Sequence, residues 1–102
     1  MKVIAKLVDL IEDELEGAEQ YAELALKYKA QHPKLADKLH ELAGVEMTHV
    51  KALHAEATRL IEEERERSGE PPAAMLAVYE YEHKKQIREA AETRAMIEEY
   101  SS

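Results

Sequence analysis

A chain of 102 residues with 22 acidic and 14 basic side chains carries a net charge of −8. It is long enough for one domain, and its acidity argues against nucleic acid as a partner. It has no cysteine, which excludes disulfide frameworks, CxxC redox pairs, iron–sulfur clusters and cysteine zinc sites.

The N-terminal MKVIAKLVDLIEDE opens the first element. It is too acidic for a secretory signal, and no apolar run approaches the length of a membrane span. The expected setting is therefore the cytoplasm, away from membranes. Phe and Trp are absent, and Gly and Pro number only three each. Any core is built from Leu, Ile, Val, Ala, Met and Tyr, and the profile is that of long helices.

Two punctuation marks divide the chain. At His32-Pro33 the residue before proline avoids helical torsions, while proline suits the first position of a new helix. Ser68-Gly69-Glu70-Pro71-Pro72 pairs a terminal glycine with prolines that can open the next helix. The expectation is an all-α fold of three helices, at about 2–31, 33–68 and 71–100. Each is roughly 45 to 54 Å long. Connections this short make sequential helices antiparallel neighbours within a single domain, residues 1–102.

At about 100° per residue the helical stripes can be read directly. In the first helix, Leu7, Leu10, Ile11, Gly17, Ala18, Tyr21, Ala25 and Tyr28 surround Glu14. In the second, Leu35, Leu39, Leu42, Ala43, Val50, Leu53, Ala57, Leu60 and Ile61 lie within about 60° of Glu46, and His49 falls in the same sector. The third helix presents Leu76, Tyr79, Ile87, Ala90 and Ile97 around His83, with Glu80 towards one edge and Glu82 on the outer surface. Glu14, Glu46 and His49 are thus core-facing by pattern. A buried carboxylate needs an ion or a hydrogen-bonded partner.

Height along the bundle tests whether these groups meet. With the first corner centred at residue 32, Glu14 faces position 50, beside His49 and a turn from Glu46. A Glu on one helix with Glu-x-x-His on its neighbour is half the ligand set of di-iron bundles. Positions i and i+3 share a face, so one helix offers an oxygen and a nitrogen ligand together, a mixture suited to iron or manganese.

ELEGAEQY, Glu14 through Tyr21, resembles the first-helix pattern of rubrerythrins, and LAGVEMTH, ending at Glu46 and His49, resembles the second. The hairpin is also similar to the encapsulated ferritins within the ferritin-like di-iron carboxylate superfamily, and to small helical proteins of bacterial and prophage genomes. The resemblance implies Glu14, Glu46 and His49 as ligands of dinuclear iron, or of manganese, with Tyr21 as a nearby hydrogen-bonding or redox residue. It implies ferroxidase-type oxidation of Fe²⁺ by oxygen or peroxide. Lacking a fourth helix, the chain would complete the site as a homo-oligomer, at least a dimer. It lacks the cysteine-rich electron-transfer domain of rubrerythrins. Its end, Glu-Glu-Tyr-Ser-Ser, does not resemble an encapsulation tail.

The third helix carries its own Glu-x-x-His, Glu80 to His83. With the second corner near residue 70, His83 faces position 57 and Glu80 position 60, on the order of 12 Å or more from His49. His54 lies within about a turn of His83, so the two form a polar pair or, with Glu80, a second metal site. Arg94 faces position 46, close enough in height to neutralise a carboxylate. The tyrosines at 21, 28, 79 and 81 read as packing residues. The alternative function is a helical interaction scaffold with no working metal site.

Overall fold

The computed structural model describes residues 2–102. They form three helices, α1 (Lys2–Tyr28), α2 (Pro33–Ser68) and α3 (Ala73–Ser101), and contain no strand. None of the three is long and apolar enough to cross a membrane. The bundle is narrow, 55 × 19 × 18 Å.

Backbone chemistry sets the ends. α1 stops at Tyr28, three residues short of the expected boundary. The chain makes one more turn, its last bond running from the His32 N–H to the Tyr28 carbonyl at 2.8 Å. His32, placed before Pro33, then leaves helical torsions at φ −134° and ψ 66°. Pro33 then opens α2 at a position whose N–H would be unpaired in any case. At the second corner Gly69 takes a φ of +80°, and its N–H reaches the Arg65 carbonyl at 2.9 Å. A left-handed φ of this kind suits glycine. α3 begins two residues later than expected. Pro71 precedes another proline and is steered away from helical torsions, and Pro72 has an extended ψ of 143°.

α1 lies in the middle. It shares its longest interface with α2 and a shorter one with α3, while α2 and α3 barely touch. On α2 the buried residues Ala36, Ala43, Val50 and Ala57 repeat every seven positions. On α1 they are Ile4, Ile11, Leu15, Ala18, Ala22 and Ala25. Ile11, Leu15, Val50 and Ala90 form one core cluster, and Ala25, Ala36 and Tyr100 another. So many alanines let the helices approach closely but bury little area per residue.

The face that α3 buries is not the one its apolar pattern suggests. Its buried residues are Gln86, Ala90, Thr93 and Tyr100, whereas Ile87 is 52% exposed. The Gln86 side-chain amide donates to the Val8 carbonyl at 3.1 Å, which satisfies a polar group that the packing encloses. Tyr81 is 65% exposed and is not a packing residue.

Candidate metal centre

The α1–α2 interface positions the three residues singled out by sequence. His49 Nδ1 lies 3.2 Å from Glu14 Oε2 and 3.8 Å from Glu46 Oε1. One ligand atom from each of Glu14, Glu46 and His49 can be chosen so that all lie within 4.8 Å of one another, the spacing of groups that hold one cation. These three are the one such group of His, Asp or Glu among the described residues. The expectation of full burial does not hold within one chain. Glu14 and Glu46 are 28% and 24% exposed at the side chain, and His49 is 50% exposed. They sit at the edge of the α1–α2 seam and open to solvent on one side.

The electrostatics follow from crowding. Hydrogen bonding to the Glu14 carboxylate is the chief cause that raises the Glu46 carboxyl above its ordinary value, with burial second. The same bond is the chief cause that holds Glu14 below its ordinary value, opposed by burial and helped by His49. Two carboxyl groups this crowded oppose each other's ionisation, and a divalent cation between them would relieve that repulsion. The ligand chemistry, two carboxylates and an imidazole with one open side, fits iron or manganese.

Gly17 was read from the sequence only as part of the stripe around Glu14, and its place beside Glu46 was missed. A β-carbon there would stand 3.1 Å from Glu46 Oε2, so the missing side chain makes room for the carboxylate. A readable signal existed: Gly17 is the sole glycine of α1 and stands one turn after Glu14. Tyr21 is half-buried on the same stripe, seven residues and so about 10 Å beyond Glu14. It lies outside the group of three.

The remaining candidates lie on the other side of α2. Glu46 and His49 flank the buried alanine line on one side, and Met47, Lys51 and His54 flank it on the other, where α3 runs. His54 Nε2 and His83 Nδ1 are 3.1 Å apart, with rings stacked at 4.8 Å and 15°. Glu80 is exposed and does not join them in a three-ligand group, while Glu82 is half-buried rather than on the outer surface. Arg94 does not approach Glu46. It lines the α2–α3 cleft with Gly44 and Lys51. Height along the bundle anticipated the His54–His83 pair, but height ignores which side of the hairpin α3 occupies.

A second carboxyl pair also escaped sequence reasoning. Glu89 is raised, first by burial and then by a hydrogen bond with Glu12, and Lys85 lies 3.8 Å from each carboxylate. Comparison with known proteins finds no matching family model, no matching curated protein and no matching solved structure.

Proposed function

We propose that this chain is a non-haem metal protein of the ferritin-like di-iron type, assembled from two copies and oxidising Fe²⁺. The observation that carries the reading is the convergence of Glu14, Glu46 and His49 from two helices, with ligand atoms within 4.8 Å and one side open. On that open side of α1, Val3, Leu10, Gly17 and Leu24 alternate with Leu7, Glu14, Tyr21 and Tyr28 at steps of three and four. This is the spacing of a coiled-coil seam, and Val3, Leu10 and Leu24 are exposed along it.

Two antiparallel hairpins packed through these seams would bring together two copies of each residue. Four carboxylates and two imidazoles from four helices are the full di-iron set. Bound there, an iron pair would supply electrons to oxygen or peroxide. The residues' own tasks are to bind and to move protons. Glu14 and Glu46 supply carboxylate oxygens and release any proton the crowded pair holds as a cation binds, His49 supplies nitrogen from the open edge, and the facing seam excludes water.

The test joins metal analysis with thermal melts under anaerobic Fe²⁺ or Mn²⁺. Ligand binding to the folded form stabilises it by about 2.7 kcal/mol at a hundredfold excess over Kd. Wild type should gain stability with metal, and Glu46→Ala and His49→Ala should lose that gain. Glu80→Ala, on the far side of α2, should keep it. If neither ion moves the wild-type melt, the metal reading is wrong. The second reading, a helical scaffold without metal, is favoured by one observation. His49 Nδ1 lies 3.2 Å from Glu14 and 3.8 Å from Glu46, so the imidazole can partner both carboxylates without a cation.

A further inference from the structure

α2 and α3 run past each other with a cleft of about 660 Å³ between them, floored by α1 at Ile11. A volume of this size suits a small molecule. Acidic residues make up 22 of the chain's 102, yet none of the residues lining this cleft is Asp or Glu. Its charged groups are Lys51 on the α2 wall and Arg94 on the α3 wall, with His54 and His83 at one end. Among the described residues neither Lys51 nor Arg94 has an ion pair or hydrogen bond. The floor and sides between them are mainly apolar: Met47, Val50, Ile87 and Ala90. The two uncharged polar side chains there, Thr48 and Gln86, are already bonded to the Gly44 and Val8 carbonyls. An apolar trough carrying uncommitted cations, in a protein otherwise strongly acidic, complements a molecule with a greasy body and one negative head.

We propose that the α2–α3 cleft binds a free aliphatic monocarboxylate, its head held by Lys51 and Arg94 and its chain lying on Met47, Val50 and Ile87. Gly44 to His54 on α2 spans about 15 Å. With C–C bonds of about 1.5 Å an extended alkyl chain advances roughly 1.3 Å per bond, so a tail of about twelve carbons fills that length. No aromatic ring lines the trough apart from the two imidazoles, which favours a flexible aliphatic body over a flat one. The site is independent of the Glu14 group, which faces the other side of the hairpin.

The test is calorimetric titration of the full chain with dodecanoate below its micelle concentration, against dodecyltrimethylammonium with the same tail. Non-specific attraction to a protein of charge −8 favours the cation, whereas the cleft favours the anion. The expected result is saturable binding of one dodecanoate per chain, tighter than the cation. Lys51→Ala and Arg94→Ala should each weaken it by about tenfold, the loss of one hydrogen bond to a charged group. Ile87→Glu, at an exposed position that leaves the helices intact by circular dichroism, should abolish it. Equal or tighter binding of the cation, or unchanged affinity in all three variants, overturns the proposal. So does an Ile87→Glu variant that keeps dodecanoate binding but changes oligomeric state, because the cleft would then be an interface between copies.

Discussion

At Gly17 a single absent methyl group decides where a carboxylate can stand. Alanine there would place carbon 3.1 Å from Glu46 Oε2, and the flexible end of Glu46 would have to shift by a few tenths of an ångström. Alanine also favours helix over glycine by about 0.5–1 kcal/mol. Gly17→Ala should therefore leave the apo melt unchanged or slightly higher while weakening Fe²⁺ or Mn²⁺ binding. Loss of fold and metal together would show that Gly17 serves packing instead. His54 gives a prediction in pH. Burial, and then His83, lower its value below the ordinary 6.5. A depressed histidine favours the neutral form, so its stabilisation is present above pH 6.5 and is lost as pH falls through the folded value. Melts at pH 7 and pH 5 should show a drop in wild type that shrinks in His54→Gln. An equal drop in both would assign the acid sensitivity to other groups.

Among the elements, α1 and α2 were legible in the sequence because their stripes are written in Leu, Ile and Ala at helical spacing. The prolines and Gly69 marked the corners for the same reason: their backbone limits are local. The face of α3 was not legible. Gln86 and Thr93 are polar, and their burial rests on a carbonyl of α1 and on close packing, both invisible to an apolar pattern. Tyr100 fixes the far end of α3. Its hydroxyl donates to Asp37 Oδ1 at 2.5 Å, its ring stacks on His40 at 4.4 Å, and the Lys29 ammonium donates to its carbonyl. The bond to Asp37 is the main cause that pushes the phenol up to about 12. A raised phenol stabilises the fold fully below its unfolded value near 10, and that contribution is lost as pH rises through about 12. Absorbance titration should find this late tyrosine, and Asp37→Asn should return it towards 10. Tyr100→Phe should cost about 1 kcal/mol in urea unfolding, and Tyr100→Ala about 3 kcal/mol. Equal losses would mean that the ring contributes nothing beyond its hydroxyl.

For the molecule as a whole, the expectation is a dimer closed through the Glu14 face. Leu10 and Leu24 are 40% and 38% exposed, so Leu10→Glu with Leu24→Glu should keep the helices intact and yield a monomer by light scattering. Metal affinity should fall with the dimer, because each copy would supply half the ligands. A wild-type chain already monomeric at micromolar concentration would contradict the shared site. The candidate site was readable because Glu14 and Glu46 interrupt otherwise apolar stripes. Its exposure was not, because a stripe shows which residues align and not which partner covers them.

The alanine line between α1 and α2 acts as a spacer gauge. Ala18 stands one turn from Glu14, Ala43 stands one turn from Glu46, and neither is exposed at all. Distances between packed helix axes range over about 8–10 Å according to the side chains at the contact. Ligand-to-metal distances tolerate only about 0.2 Å. In the proposed metal site, the gap across which the carboxylates would reach is therefore set in part by two methyl groups outside the group of three. Ala18→Leu or Ala43→Leu would wedge the helices apart and, if the proposed site holds metal, change its cation preference while Glu14, Glu46 and His49 all remain.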